Sequence, residues 1–252
     1  MTRSFLSLLI ILFLASCHPQ LVVRQINTGN IQIDEISGGI DSAVLALIKP
    51  YSDSIATDMS KLVTVSATPL IKDKPESKLT NLVADVMLEV GSKYCTAAKL
   101  KINPDASYVN YGGLRASLPQ GEITVGRIFE LMPFENEIVL IKISGEAFAQ
   151  MGQRIASRGG EGVAGIKMGI RNEKPETFLI HGKVIDPAGF YWLVTNDYIA
   201  NGGDQMSMFA NPLERINTRL KIRDVLIQTL NDRYKKNGIL DVKEDGRIYH
   251  EQ

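Results

Sequence analysis

The sequence has few of the residues that most often bind catalytic metals. It contains three histidines, His18, His181 and His250, which are far apart in the chain. Its two cysteines, Cys17 and Cys95, are too few for a zinc site built on cysteines or for a disulfide framework. A single histidine in a predicted β-hairpin, such as His181, is more often a surface residue than a metal ligand. We therefore expect no metal site in this chain.

Several motifs of hydrolases and nucleotide-binding enzymes are also missing. No Gly-x-Ser-x-Gly run is present, which argues against the nucleophile elbow of a serine hydrolase. The pair Gly112-Gly113 is followed by leucine and arginine, not by the lysine and hydroxyl residue of a P-loop. With 28 basic and 28 acidic residues the formal net charge is +0, so the overall charge does not indicate binding to nucleic acid. A phosphate-bearing ligand must therefore be recognised by local groups.

The N-terminal residues indicate export and lipid attachment. Arg3 is followed by an apolar run over residues 5–14, which is too short to span a bilayer comfortably and is typical of a signal peptide. The run ends in Leu-Ala-Ser-Cys17, which resembles a bacterial lipobox and implies acylation of Cys17. We expect a lipoprotein signal peptide over residues 1–17 and a lipid-anchored location in the bacterial cell envelope, facing the periplasm. An ordinary signal peptide with a chance cysteine is the alternative.

Residues 18–60 are predicted to form a tether and a lead-in helix. Over Ile40–Met59 the apolar residues recur at helical spacing, and Asp41 or Ser42 is available to cap the first turn. Pro50 lies inside this stretch, so we expect the helix to kink or split there.

Residues 61–252 alternate between short strand patterns and amphipathic helix patterns. This alternation predicts a domain of the α+β class, with a mixed sheet packed against helices. Cys95 ends an apolar-periodic helix, so we expect it to be buried and inert. The predicted helices are Glu76–Tyr94, Ile123–Leu131 capped by Thr124, a helix capped by Ser144 that runs to about Ser157, and Arg219–Lys236 ended by Gly238. The predicted strands are Lys61–Thr68, Ala106–Val109, Glu137–Ile143, Gly165–Arg171, Thr177–Val184 and Phe190–Val194.

Two of these strands run into glycine-rich turns that carry polar and aromatic side chains. After Ala106–Val109 comes Asn-Tyr-Gly-Gly-Leu-Arg115, in which the glycines permit a positive φ and a close approach of the backbone to a ligand. Arg115 offers a planar fork of donors suited to carboxylate or phosphate. After Phe190–Val194 the chain reads Thr-Asn-Asp-Tyr198 and reaches Gly-Gly-Asp204. Aromatic residues, an arginine and an aspartate at strand ends indicate a flat polar ligand.

Taken in order, these segments resemble the C-terminal domain of the 5′-nucleotidase family. The likeness covers roughly Lys61 to the C-terminus and implies that family's C-terminal domain fold for residues 61–252. It rests on Asn-Tyr-Gly-Gly-Leu-Arg115, Gly-Glu-Ile-Thr124, Pro-Phe134-Glu-Asn136, and Thr-Asn-Asp-Tyr198 ending in Gly-Gly-Asp204.

The resemblance implies a site for the nucleoside end of a substrate. In this family the C-terminal domain stacks the base between two aromatic side chains and bonds the sugar. Phe134 and Tyr198 are therefore the expected stacking pair. Asn136 is expected to bond the base, while Arg115 and Asp204 are expected to hold the ribose and neighbouring polar groups.

Some positions match the family less fully. Asn81 matches an asparagine or arginine at a helix start that helps to line the family's site, so it is a further candidate. Tyr198 stands where phenylalanine is common, which keeps the stacking face. Gln205-Met206 stands where Gly-Tyr is frequent, which puts the far wall of the pocket in doubt. The glycines of the loop 158–162 are weaker candidates for bordering the base.

The resemblance also implies which chemistry must come from elsewhere. The family hydrolyses phosphate esters with two metal ions held by an N-terminal domain, whose Asp-x-His and Gly-Asn-His motifs do not occur in this sequence. We therefore expect the substrate-binding half of a split 5′-nucleotidase, inactive alone, with no cofactor of its own. Divalent metals are expected only in a separate metallophosphatase chain, which the lead-in helix Ile40–Met59 is available to dock.

Two other functions fit the same residues. One is a non-catalytic nucleoside- or nucleotide-binding lipoprotein that acts alone. The absence of metal-binding motifs supports this function equally well. The other is a structural envelope lipoprotein that has lost the pocket, and the retained Phe134, Tyr198 and Asp204 argue against it. An exposed apolar patch on the lead-in helix would favour the split enzyme over the binding protein.

Overall fold

The computed structural model describes residue 23 and residues 25–26, 28–30 and 41–251. The predicted signal peptide, its lipidation site Cys17 and the neighbouring His18 lie outside the described residues. Among the helices in the described part of the chain, none is both long enough and apolar enough to cross a membrane.

Helix α1, Ser42–Met59, forms where the apolar spacing predicts it. The carboxylate of Asp41 caps it by accepting the N–H groups of Ala43 at 2.9 Å and Val44 at 3.1 Å. Pro50 lies inside the helix and does not split it, because the carbonyl that loses its partner is on an exposed helix and can bond water. No residue of α1 is buried, and its exposed large hydrophobic residues are Val44, Leu45, Leu47, Ile48, Tyr51 and Ile55.

The chain beyond α1 alternates strands and helices. The strands are β1 Leu62–Ser66, β2 Ala106–Val109, β3 Gly121–Thr124, β4 Glu137–Ser144, β5 Gly162–Ala164, β6 Ile166–Arg171, β7 Lys174–Ile180, β8 Lys183–Val184, β9 Phe190–Asn196, β10 Glu214–Lys221 and β11 Ile248–His250. The helices are α2 Lys78–Ala97, α3 Val125–Leu131, α4 Gly145–Ser157, α5 Asp197–Ala200 and α6 Ile222–Asn237. The mixed α and β architecture predicted from the sequence is confirmed.

A five-stranded mixed sheet in the order β10-β4-β9-β2-β5 forms the centre of the domain. Its β2–β9 pair is parallel and its other neighbouring pairs are antiparallel. Strand β4 is buried on both faces: Ile138 and Leu140 join one apolar core, while Val139 and Ile141 join another. Because successive side chains of a strand point to opposite faces, the two cores lie on opposite sides of the sheet. Helices α2 and α6 pack in the first core and α4 in the second.

Two smaller sheets complete the domain. Strands β1 and β3 pair antiparallel, and β11, β6, β7 and β8 form a four-stranded sheet in that order. Strand β11 runs parallel to β6, which attaches the C-terminal segment to the domain. Arg247 holds the same segment to helix α2 through an ion pair with Asp85 at 2.6 Å.

Strand pairing changes several predicted boundaries. The segment predicted to start a helix at Ile123 is strand β3, because its backbone pairs with β1, and α3 begins only at Val125. Thr124 precedes α3, but its side chain makes no capping hydrogen bond. The segment predicted to start a helix at Arg219 is the end of β10, which pairs with β4, so α6 begins at Ile222.

Other local predictions are confirmed. Ser144 caps α4 by accepting the N–H of Ala147 at 3.2 Å, and Gly238 ends α6 with a φ of 76°. Cys95 is buried in the first core, and burial raises the pKa of its thiol, as expected for an inert cysteine. His181 is an exposed residue in the turn between β7 and β8.

Candidate functional site

Two neighbouring parallel strands bring the predicted site residues together. Strands β2 and β9 are adjacent in the central sheet, and the Thr195 hydroxyl donates to the carbonyl of Tyr108 at 2.9 Å. Because the two strands are parallel, their carboxyl ends lie at the same edge of the sheet. Strand β2 continues into residues 110–115, which we call the first turn. Strand β9 continues through Asn196 into residues 197–204, which we call the second turn.

A cavity of about 350 Å³ lies between the two turns. This volume is typical of pockets for small ligands. The cavity is lined by Asn110, Gly112, Gly113, Arg115, Phe134, Asn136, Tyr198 and Asp204. Five of the six binding residues predicted from the sequence therefore surround one cavity.

The two aromatic rings of this cavity are exposed to an unusual degree. Phe134 is 51% exposed and Tyr198 is 47% exposed. A phenylalanine that anchored the core would be buried, as Phe148 and Phe209 are. Two half-exposed rings that line the same cavity are free to contact a planar ligand.

Asp204 is held in one orientation by groups of both turns. Its φ of 51° is a left-handed conformation that aspartate adopts more readily than most residues. The Tyr198 hydroxyl accepts the Asp204 N–H and donates to Asp204 Oδ1, each at 3.1 Å. The Asn110 Nδ2 donates to Asp204 Oδ2 at 2.6 Å. A carboxylate has more acceptor positions than these bonds use, so Asp204 can also accept hydrogen bonds from ligand hydroxyl groups.

Asn196 is a buried residue that links the two turns, although its residue type and position in the sequence predicted no binding role for it. Its Nδ2 donates to Asn110 Oδ1 at 3.2 Å. Its Oδ1 accepts the N–H of Ile199 at 2.8 Å, which caps helix α5. The available signal was an asparagine at the end of a strand, a residue type that often caps a following helix.

Three basic residues lie in or beside the first turn, and Arg115 is the one that belongs to the sequence motif. The Nζ of Lys72 is 3.9 Å from the centre of the Tyr111 ring, and the Nζ of Lys74 is 4.8 Å from it. Burial lowers the pKa of Lys72, and the charge of Arg115 lowers it further. Arg115 itself donates to the carbonyl of Gly112 at 3.2 Å. Such a concentration of positive charge is suited to an anionic group of a ligand.

Asn81 is the predicted binding residue that the structure does not bring to the cavity. It is buried near the start of α2, where its Nδ2 donates to Glu76 Oε1 at 2.5 Å and to the carbonyl of Lys243 at 3.3 Å. The bond to Lys243 attaches the C-terminal segment to α2. The glycines of the loop 158–162 are also outside the cavity lining, and a Cβ at Gly160 would lie 2.1 Å from the carbonyl oxygen of Pro75.

The described residues do not fit a centre for catalytic metals. Within residues 41–251 and the few described before them, no group of three or more histidine, cysteine, aspartate or glutamate side chains could hold a metal ion. His181 has a carboxylate oxygen of Asp105 at 3.9 Å from its Nε2, which makes a pair and not a cluster. A two-metal hydrolytic centre needs several such ligands around each ion.

A larger groove, of about 590 Å³, lies between α2 and α6. Its lining includes exposed charged side chains such as Lys93, Asp232 and Lys236, and Tyr94 is the one aromatic residue among them. Specific binding of a small ligand depends on a few converging polar groups and on apolar surface. We place the candidate site in the smaller cavity, because two half-exposed aromatic rings and polar side chains of both turns converge there.

The smaller cavity combines three elements of recognition. Phe134 and Tyr198 offer ring faces, and Asp204 offers fixed acceptors for hydroxyl groups. Arg115 offers positive charge in the lining of the cavity. Together these groups are suited to a ligand that carries a flat ring, hydroxyl groups and an anionic group.

Comparison with protein sequences identifies similar proteins. A family model for the 5′-nucleotidase C-terminal domain matches residues 61–211. The trifunctional nucleotide phosphoesterase protein YfkN of Bacillus subtilis is 31% identical over 150 residues, which are 53% of this chain and 10% of that protein. A 5′-nucleotidase of Vibrio parahaemolyticus is 24% identical over 216 residues, which cover 84% of this chain and 36% of that protein. The chain thus spans only a minor part of the length of these curated relatives.

Solved structures give the same likeness at the level of the fold. The 5′-nucleotidase precursor from Thermus thermophilus matches with a TM-score of 0.67 at 24% identity, over 82% of this chain and 42% of that chain. A structure from Staphylococcus aureus described as a 5′-nucleotidase matches with a TM-score of 0.64 at 18% identity, over 87% of this chain and 46% of that chain. At these identities the likeness establishes the fold alone.

Proposed function

Since the chain belongs to the 5′-nucleotidase family through its C-terminal domain, we propose that it is the substrate-binding half of a split 5′-nucleotidase. Its ligand is a nucleoside or a nucleotide, bound in the cavity between the first and second turns. A separate metallophosphatase chain supplies the divalent metals and hydrolyses the phosphate ester, as part of nucleotide catabolism.

The observation that carries this proposal is the placement of two half-exposed rings and a fixed carboxylate around one cavity. The base stacks on Phe134 and Tyr198, and such stacking is worth about 1–3 kcal/mol on each ring. Asp204 accepts hydrogen bonds from the ribose hydroxyl groups. Asn136 bonds the base, and Arg115 binds polar groups beside the ribose.

The proposal of a partner chain rests on the chemistry of the reaction and on helix α1. Two metal ions would stabilise the attacking and leaving oxygens of phosphate ester hydrolysis, and the described residues do not fit them. The apolar side chains of α1 are exposed. Exposed apolar surface of this kind is often an interaction site, so we propose α1 as the surface that docks the partner.

We also propose that acylation of Cys17 anchors the protein in the bacterial cell envelope on the periplasmic side. The Leu-Ala-Ser-Cys17 run supports this assignment. Replacement of the sulfur in Cys17→Ala removes the acylation site. We expect this variant to leave the membrane fraction, whereas Cys95→Ala, which changes a buried thiol, should stay in it. Equal membrane partition of both variants would contradict lipid attachment at Cys17.

Calorimetric titration of the full chain in detergent with adenosine and with AMP tests the proposed ligand. Phe134→Ala and Tyr198→Ala should each weaken binding by roughly tenfold or more, because each removes one stacking face. Phe190→Ala is the matched control, since Phe190 is comparably exposed, at 61%, but does not line the cavity. It should bind as the wild type does.

Each outcome of this titration has a consequence for the proposal. No binding of adenosine or AMP to the wild type, or equal weakening by Phe190→Ala, would overturn the nucleoside site. If binding is found, the chain is next mixed with purified candidate metallophosphatases and a divalent metal. Release of phosphate that needs both chains would support the split enzyme, whereas binding without a partner that restores hydrolysis would favour a binding protein that acts alone.

A further inference from the structure

A buried carboxylate lies beneath the first turn and belongs to none of the family motifs in the sequence. Strand β5 pairs with β2 so that Gly162 is opposite Val109. This register brings Glu161, the residue before Gly162, next to the backbone that follows β2. Glu161 is only 3% exposed, and a carboxylate is rarely so buried unless it is paired.

Glu161 and Arg158 connect the two turns from below the cavity. The carboxylate of Glu161 accepts the Tyr111 N–H through Oε2 and accepts from Arg158 Nη1 at 3.3 Å through Oε1. The other nitrogen of the guanidinium, Nη2, donates to the carbonyl of Asp204 at 2.8 Å. Arg158 Nη1 also lies 3.9 Å from Asp204 Oδ2. One end of this pair therefore holds the first turn, and the other end holds the backbone of Asp204, whose carboxylate lines the cavity.

We infer that Glu161 and Arg158 are positioning residues for the ligand cavity, and that the ionisation of Glu161 sets how ligand affinity depends on pH. This inference rests on the proposed nucleoside site. Ionised Glu161 orients the Tyr111 N–H and the Arg158 guanidinium, and Arg158 in turn fixes Asp204. Protonation of Glu161 removes the charge that holds Arg158, so the first turn loses its anchor and Asp204 loses the support of Arg158.

Several charged or titratable groups face Glu161. Burial disfavours its ionised form and raises the pKa of Glu161, against the opposing effects of the Tyr111 N–H, Arg158 and Lys74. Lys72 feels the Glu161 charge from the loop after β1, and the hydroxyl of Tyr108 feels it from β2. Protonation of Glu161 on acidification therefore begins at a higher pH than for an exposed glutamate.

A rise in pH through the pKa of Glu161 changes the stability of the fold and the affinity for ligand in opposite directions. Because the pKa of Glu161 is raised in the folded protein, its contribution to stability is fully present below the pKa of the unfolded chain. That contribution is lost as the pH rises through the folded pKa. Ligand affinity rises over the same interval, since the ionised form positions Arg158. A side chain with a structural role alone would not raise affinity while it lowers stability.

The decisive measurement is the affinity of the full chain for adenosine between about pH 4.5 and 8, for the wild type and for Glu161→Gln. Adenosine carries no phosphate that titrates in this range. We expect the wild type to lose affinity on acidification, and Glu161→Gln to bind roughly tenfold more weakly at neutral pH with a flat profile. Glu176→Gln, a surface carboxylate 4.0 Å from Arg171, should match the wild type at every pH.

A second readout needs no ligand. The proton shift of the Tyr111 amide, followed by NMR, reports the ionisation of the carboxylate that accepts it. It should titrate in the wild type with a midpoint above the usual range of glutamate, and should not titrate in Glu161→Gln. Arg158→Lys, which keeps the charge but loses the planar fork, should weaken adenosine binding and keep the Tyr111 titration.

The outcomes separate this inference from the proposed function. If the wild type does not bind adenosine, the proposed nucleoside site fails, and the Tyr111 titration still decides whether Glu161 holds the first turn. If Glu161→Gln keeps the wild-type affinity and pH profile, or if the Tyr111 amide does not titrate in the wild type, the inference is overturned. If Glu161→Gln does not fold, the inference is tested by the adenosine affinity of Arg158→Lys and by the titration of the Tyr111 amide in the wild type.

Discussion

The first and second turns end neighbouring strands of the same sheet, yet they are held by different means. The second turn is closed largely by its own residues: the Tyr198 hydroxyl bonds both the N–H and the carboxylate of Asp204, and Asn196 caps the helix that starts the turn. The first turn depends on groups from elsewhere in the chain. Its Tyr111 N–H bonds Glu161, and Asn110 bonds Asn196.

This difference shows that one wall of a site can be folded by its own residues, while the other wall must be held by residues that are distant in the sequence. A turn closed by its own hydrogen bonds keeps its form when distant contacts change. A turn held by distant side chains moves with them, so it is the part of the site that a change in ionisation or a bound partner can alter. Asn110, which bonds Asp204 at 2.6 Å, is the direct connection between the two walls.

The substitution expected to have the largest effect on the two turns is Asn110→Ala. Asn110 is 4% exposed, and its loss leaves polar atoms of Asn196 and Asp204 without their partners. We expect the free energy of unfolding to fall by about 3 kcal/mol, measured by denaturant titration, and adenosine binding to be lost. Asn237→Ala, at the exposed end of α6, should stay within about 0.5 kcal/mol of the wild type. Equal stability of the two variants would mean that the turns are not coupled through Asn110.

Alanine at one glycine of each turn tests whether the second turn is the more tightly closed. A Cβ at Gly203 would lie 2.6 Å from atoms of the Tyr198 ring and from the Tyr198 carbonyl oxygen. A Cβ at Gly112 would make only ordinary contacts, at 3.8 Å. Thermal unfolding should show Gly203→Ala to be destabilised by about 1–3 kcal/mol. Gly112→Ala should change stability by less than about 0.5 kcal/mol. If Gly112→Ala were more destabilised than Gly203→Ala, close packing around Gly203 would not explain how the second turn is closed.

The smallest expected effect comes from Tyr198→Phe, which separates the ring from its hydroxyl. The variant keeps the stacking face but loses the bonds to Asp204, so the second turn loses part of its local closure. We expect adenosine affinity to fall about threefold, and stability by less than about 1 kcal/mol because Tyr198 is half exposed. Tyr51→Phe, with an exposed hydroxyl on α1, is the matched control. A loss as large as that of Tyr198→Ala would mean that the hydroxyl, not the ring, carries the binding.

Local pattern was sufficient where a feature depends on nearby residues. Strand β2 was predicted with its observed bounds, the cap of α4 at Ser144 was confirmed, and Gly238 ends α6 as expected. Boundaries failed where two segments pair across the fold. The backbone at Ile123 could equally start a helix, and only its pairing with β1 makes it a strand.

The residues of the candidate site show the same distinction between local sequence pattern and contacts across the fold. Arg115, Phe134, Asn136, Tyr198 and Asp204 were found from the sequence because each lies in a short run with recognisable neighbours. Asn81 also lies in such a run, yet its amide is taken by Glu76 and by the carbonyl of Lys243. A sequence motif shows which side chain is present, but it does not show which group of the folded chain hydrogen-bonds to that side chain.

The sequence by itself determined the class of fold and the two turns, because strand alternation, helical spacing and turn chemistry are local properties of a chain. The resemblance of its motifs to a family supplied five of the residues that line the cavity. Only the tertiary structure decided that Glu161 lies beneath the first turn, 50 residues from its partner Tyr111. The register of β5 against β2 places it there. Contacts across a sheet join residues that are distant in sequence, and burial then decides which of their charges affect the site.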